Sequence, residues 1–379
     1  MRKNKKRLLP VLLTMVMAIT MYTAAPMSVY AGTIDDADYA IYLNNDGTLH
    51  QNNSGGADIT TELAAAGAVV TGGPTGPWTL TLNNFNFTTS ADLGIYVPGG
   101  TTIILKGKNS ITSTCTAGTD YDYPDTYPVY PDLPLFFSDG LMANGALTIS
   151  GPGSLAVTSG NSEGASYGIM AVGLTINGGA TVAATSGTAS FSMGIYDFSG
   201  FEVSDNSTVT AKSGTADFSA GIFAFDELSI TGKSSVTATG GTSAVTPSVF
   251  TGSYGIYVFG IAPLLGFSGK VLQAAGENMA IAIYNSDLIL GTFTVPEGYL
   301  YWVNTTMSRP VGSGTLSDGT FIIDSTYRFA RIELYTPQAP APNVPQTNDV
   351  NNTLGWAVVL ALVFPGAFGL IAWRRRQRA

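Results

Sequence analysis

The chain has 379 residues, 45 of them glycine, with 45% hydrophobic and only 11% charged side chains and a formal net charge of −9. Cys115 is the only cysteine and His50 the only histidine, which excludes an intrachain disulfide and all but excludes Ser/His, Cys/His and multi-histidine zinc sites. Nine of the 17 Lys and Arg lie in residues 1–31 and 374–379, so residues 32–347 keep eight against 25 acidic residues, net −17. Such a surface repels nucleic acid and anionic lipid and suits bound cations.

Arg2, Lys3, Lys5, Lys6 and Arg7, an apolar stretch from Leu8 to Tyr22, and the small-residue site Val29-Tyr30-Ala31 predict a signal peptide over 1–31, cleaved after Ala31. Residues 32–77 predict an N-terminal cap, with Tyr39-Ala-Ile-Tyr-Leu43, a turn at Asn45-Asp46-Gly47 and an alanine-rich Thr60–Ala68.

From Trp78 to residue 291 the chain repeats itself. One triplet recurs as Gly94-Ile-Tyr, Gly140-Leu-Met, Gly168-Ile-Met, Gly194-Ile-Tyr, Gly221-Ile-Phe and Gly255-Ile-Tyr, then as Ala282-Ile-Tyr284. The intervals are 46, 28, 26, 27, 34 and 27, the longer ones marking insertions that stacked repeats accept between elements. A second strand per repeat carries Ile103/Leu105, Leu147/Ile149, Leu174/Ile176, Phe201/Val203, Leu228/Ile230 and Leu288/Leu290. A third carries Leu155/Val157, Val182/Ala184, Val209/Ala211 and Val236/Ala238, followed by turns such as Ser159-Gly160 and Ser186-Gly187. Three short strands and glycine-rich corners per period predict an all-β fold, a right-handed parallel β-helix over 78–291. An all-β sandwich shares the alternation but does not require one triplet every 26 to 28 residues. Residues 292–335, with Tyr299, Tyr301, Trp302 and Thr320-Phe-Ile-Ile323, predict a C-terminal cap.

Three places could carry chemistry. The insertion 116–138 interleaves Asp120, Asp122, Asp125 and Asp132 with four tyrosines, so it could hold calcium or stack sugars. The other reading is a proline-stiffened loop whose tyrosines cover apolar surface. The position after each repeated Ile forms a column, Tyr96, Met142, Met170, Tyr196, Phe223, Tyr257 and Tyr284. With Ile turned inward, alternation puts Tyr96, Tyr196, Phe223, Tyr257 and Tyr284 outside as a glycan-stacking stripe; the opposite assignment, rings in and Ile out, also fits. Asp197 and Asp226, in adjacent repeats with Glu202 and Asp205 a corner away, are either neighbours or solvated charges on turns. The repeats hold five lysines, no arginine and thinly spread carboxylates, which weighs against the polysaccharide lyase or hydrolase that such a fold could house.

Residues 336–353 are a proline-rich linker ending in Val344-Pro345-Gln346-Thr347-Asn348. Residues 354–373 are twenty residues without a charge, predicting a transmembrane helix that leaves the basic tail 374–379 inside the cell. That order of pentapeptide, apolar span and arginines resembles a sortase cell-wall sorting signal. The resemblance implies that sortase joins the carbonyl of Thr347 to peptidoglycan; Val344 and Asn348 depart from the usual Leu-Pro-x-Thr-Gly pattern, and a plain single-pass anchor is the alternative. The repeat motifs over 78–290 resemble clostridial surface proteins with β-helical, carbohydrate-binding-type domains. Together these imply a non-enzymatic protein on the outer face of a Gram-positive cell, wall-anchored or single-pass, that binds polysaccharide, with calcium as a candidate cofactor, or mediates adhesion. A lyase or hydrolase, and a stalk or protein adhesin with no small ligand, are the alternatives.

Overall fold

A computed structural model describes residues 41–52, 55–73, 76–116, 119–120, 136–243, 245, 251–287 and 289–336. All of these but Thr336 belong to one unit, Met1–Tyr335. The fold is all-β, and most of its strands pair in parallel with the equivalent strand one repeat away.

Three rows of parallel strands carry the repeats. The first row runs through Ile41–Leu43, Leu93–Val97, Phe136–Ala143, Ala165–Ala171, Phe191–Asp197, the first halves of Phe218–Ile230 and Gly252–Phe267, and Met279–Asn285. Its register aligns Ile41, Ile95, Leu141, Ile169, Ile195, Ile222, Ile256 and Ile281 as one column. The second row takes Trp78–Asn83, Thr101–Lys106, Leu147–Ser150, Leu174–Ile176, Phe201–Val203 and the second halves of the two long strands. The third takes Asn86–Thr89, Lys108–Ser113, Ser154–Thr158, Thr181–Thr185, Thr208–Lys212, Ser235–Thr239 and Val271–Ala275.

The Ile column faces the pairs Leu174/Ile176 and Val182/Ala184, with their equivalents in the other repeats, and all belong to one buried apolar cluster. Glycine before Ile95, Leu141, Ile169, Ile195, Ile222 and Ile256 answers a clearance problem. A Cβ on Gly194 would lie 2.5 Å from Lys212 N in the third row and 2.7 Å from Gly221 O in the next repeat, distances no real Cβ tolerates.

Two residues before that glycine, Ser138, Ser166, Ser192, Ser219 and Ser253 form a second column in register, all fully buried. Each of the middle three serves the corner behind it. Ser192 Oγ donates to Gly187 O at 2.7 Å and accepts from Gly214 N at 2.8 Å, so its hydroxyl satisfies backbone groups that a tight corner would strand.

The ends are closed by antiparallel strands. Ala68–Gly72 covers Trp78–Asn83, and the six-residue helix Thr60–Ala65 tucks Leu63 beneath. At the other end Phe329–Leu334 pairs with Val271–Ala275 and is followed outward by Tyr299–Asn304 and Thr315–Leu316. Ile41–Leu43, within the span read as a cap, pairs in parallel with Leu93–Val97 and so extends the first row.

Three expectations are corrected. Ile256 pairs with Ile281 rather than Ile283, so Tyr257 faces Ala282 and Tyr284 faces Phe259. In the second row Leu147/Ile149 meet Thr101/Ile103 rather than Ile103/Leu105, and Leu228/Ile230 meet Leu265/Phe267 of the Gly255 repeat, while Leu290 forms an isolated bridge to Tyr284. The pairings of Ile281 and of Thr101/Ile103 are each slips by two residues, which leave every side chain on its own face and so escape a reading from alternation. The third concerns the membrane. Among the described residues no helix is long and apolar enough to cross one; their helix, Thr60–Ala65, spans about 9 Å against the roughly 30 Å of a hydrocarbon core. An uncharged run of sufficient length is not by itself a helix, and residues 1–31 and 354–373, read as signal peptide and span, lie outside the described residues.

Candidate functional site

The outer face of the first row is the most unusual surface of the protein. Because a residue on each side of the Gly-Ile pair turns outward, this face carries several apolar columns. Tyr167, Met193, Ala220 and Tyr254 precede the glycine, Met170, Tyr196, Phe223 and Tyr257 follow the Ile, and Phe198, Phe225, Phe259 and Tyr284 lie beyond. They form a second buried cluster, separate from the one inside the rows, with Phe198, Phe225 and Phe259 partly buried against it.

Rings pack on rings throughout. Tyr196 lies 4.8 Å from Tyr167, 4.3 Å from Phe198 and 5.1 Å from Phe223 between centroids. Phe223 and Tyr257 stack at 5.2 Å and 14°, and Phe218 meets Tyr257 edge-on at 5.1 Å. These are the offset and T-shaped geometries that the ring quadrupole favours, each about 0.5–1.5 kcal/mol beyond burial. Burial raises the Tyr254, Tyr257 and Tyr167 hydroxyls above their ordinary values, with neighbouring tyrosines adding to the effect.

The candidate stripe is therefore outside the Ile column but mostly not open. Tyr257 is 0% exposed, Phe223 5%, Tyr196 7% and Tyr284 7%, so their faces are occupied by protein. Tyr96 is the exception: half-buried, it lies 5.1 Å from Tyr42, also half-buried, at 30° between planes. Tyr284 sits one column away from the others, because the last repeat is paired two residues earlier than its triplet suggests.

Of the candidate calcium ligands, Asp122, Asp125 and Asp132 lie outside the described residues, and Asp120 belongs to the strand Thr119–Asp120, paired antiparallel with Phe136–Phe137. Among the described residues no group of three or more His, Cys, Asp or Glu is placed to hold a metal ion. Val344, Pro345, Gln346, Thr347 and Asn348 also lie outside them.

The acidic residues of adjacent repeats separate. Asp197 is fully buried and pairs in register with Ala171 and Ala224, while Asp226 is exposed on a bulge, its Oδ1 accepting from Ile261 N at 3.1 Å. Asp197 accepts backbone hydrogen bonds from Gly173, Ser199 and Gly200 at 2.9, 3.0 and 2.6 Å, which ties the turn leaving the first row. Burial nonetheless outweighs those bonds and moves its carboxyl upward. Glu202 and Asp205 are exposed.

Compared with known proteins, the chain matches no protein-family model, no curated protein and no solved structure.

Sequence reading passed over two groups. The buried serine column was legible as Ser-x-Gly-Ile, repeated at Ser166, Ser192, Ser219 and Ser253. Asp139, which stands in the outward column where other repeats place Leu93, Tyr167 or Met193, was legible as a carboxylate at an otherwise apolar position.

Proposed function

We propose that residues 78–291 wind as a right-handed parallel β-helix serving as a non-catalytic attachment module outside a Gram-positive cell, held to peptidoglycan through Thr347. The observation that carries this reading is the column from Ile41 to Ile281: eight positions in parallel register, taken up in chain order, with the second and third rows stepping alongside. Successive turns of one strand helix would produce that order, and parallel crossovers are right-handed in nearly all proteins. Such a rod holds side chains at a constant spacing of about 4.8 Å between strands, which suits an extended, repeating ligand.

Polysaccharide is the ligand class we propose, with contact at Tyr96 and Tyr42. A half-exposed ring pair offers an apolar face to a sugar. The outer faces of the other two rows would add hydrogen-bonding groups, among them Thr148 and Thr175 in the second row and Thr158, Thr185 and Thr210 in the third. Glycan-array binding of the purified protein, with and without calcium, tests this directly. The reading expects a polysaccharide signal that Tyr96→Ala weakens by about tenfold or more, one lost stacking contact being worth about 1.4 kcal/mol. Binding unchanged by Tyr96→Ala would remove the proposed site, and no binding at all would leave the second reading. That reading, a stalk or protein adhesin without a small ligand, is favoured by the burial of Tyr196, Phe223, Tyr257 and Tyr284. Wall attachment is tested separately, since Thr347→Ala should move the protein out of the peptidoglycan-bound fraction.

A further inference from the structure

Asp92 and Asp139 meet where the first repeats stack on the outer face of the first row. Asp139 N donates to Asp92 O at 2.7 Å, and in register Asp139 lies between Leu93 and Tyr167. Cys115 Sγ donates to Asp92 Oδ1 at 2.9 Å. The Asp139 side chain is 3% exposed, and its Oδ1 has no hydrogen-bond partner.

An ionised carboxylate in that place would lack a hydrogen bond on one oxygen, sit in apolar surroundings and face a second carboxylate, three costs that a proton lowers together. Burial first, and the charge of Asp92 second, push the Asp139 carboxyl well above the usual carboxylate range. Among the described residues, the other titratable group facing it, the Tyr167 hydroxyl, is held far above its ordinary value by burial and then by Tyr196 and Asp139, so it brings no compensating charge.

We infer that Asp139, opposed by Asp92, is a pH-sensitive joint between the strands Leu93–Val97, Phe136–Ala143 and Ala165–Ala171, closed while Asp139 carries its proton and loosened when it ionises. Because the folded state holds the proton more tightly than the unfolded chain, the stabilising contribution is complete in acid. It is lost as pH rises through the value at which the folded protein releases the proton. The inference does not depend on glycan binding.

The test is thermal unfolding of the purified protein between pH 8 and pH 5, beside Asp139→Asn. The wild-type Tm should climb as pH falls, whereas Asp139→Asn should give a flatter profile lying above the wild type at pH 8. Amide exchange, corrected for its intrinsic pH dependence, should localise the effect: protection of the three strands falls with rising pH by up to about tenfold per unit, the limit for one proton. If Asp139→Asn does not fold, Asp92→Asn serves instead, and its climb should begin at lower pH than that of the wild type because the opposing charge is gone. Parallel profiles for the wild type and whichever variant is used would overturn the inference. So would a rise of the wild-type Tm on adding calcium at pH 8 that Asp139→Asn lacks, because a cation rather than a proton would then occupy the joint.

Discussion

The outer faces of the first and third rows rest on the same parallel ladder, yet their surroundings are opposite. In the third row the outward positions are Thr181, Ala183 and Thr185 in one repeat and Thr208, Thr210 and Lys212 in the next, none of them buried. In the first they are Tyr167, Met170, Met193, Tyr196, Phe223 and Tyr257, all buried. This fold therefore has two apolar layers sharing one sheet, the first row being packed on both faces as parallel strands usually are. The Ile column is half of that structure, and the rings behind it are the other half.

The comparison can be broken at several points. The largest effect is expected from Gly194→Ala, whose methyl would press on Lys212 N and Gly221 O, backbone atoms that cannot turn aside. A loss of more than about 4 kcal/mol in a urea titration is expected, and a loss below about 1 kcal/mol would mean that the first and third rows are not in contact there. Tyr257→Ala follows, at about 3–5 kcal/mol, because it removes a fully buried ring that touches Phe218, Phe223, Tyr254 and Tyr284. Calorimetry would show this as a lower Tm, and an unchanged Tm would mean that the ring is not part of a packed layer.

Ser192→Ala should cost less, about 1–3 kcal/mol, since Gly214 N and Gly187 O each lose a buried partner. Ser192→Thr fills the same site with a hydroxyl and an extra methyl; if it matched the alanine variant in stability, sterics rather than hydrogen bonding would explain the column. The smallest effect belongs to the open face. Thr210→Ala should stay within about 0.5 kcal/mol of the wild type, and a larger loss would show that the third row also carries a covered layer.

Much of this fold was legible in the sequence where one alternation fits and no other does. The third-row pairs Leu155/Val157, Val182/Ala184, Val209/Ala211 and Val236/Ala238 align in the observed register, because each lies at a fixed distance from a Ser-Gly or Gly-Gly corner. The last triplet was not legible: Ile281 and Ile283 both fit an inward column, and the choice falls to the backbone, where a Cβ on Gly255 would lie 2.6 Å from Ala280 O. The candidate stripe shows a different limit. Alternation separates Ile195 from Tyr196, but whether the outer face meets water depends on what lies over the sheet, which neither periodicity nor composition reports.

Both layers meet at these two neighbours. Ile195 is 0% exposed in the inner cluster and Tyr196 7% exposed in the outer one, one residue apart on opposite faces of the same strand. Urea titrations of Ile195→Ala and Tyr196→Ala measure both layers at one point. Comparable losses, about 2–5 kcal/mol for the first and about 3–5 for the second, are predicted. A Tyr196→Ala protein that unfolds at the wild-type midpoint while Ile195→Ala falls well below it would contradict the second layer.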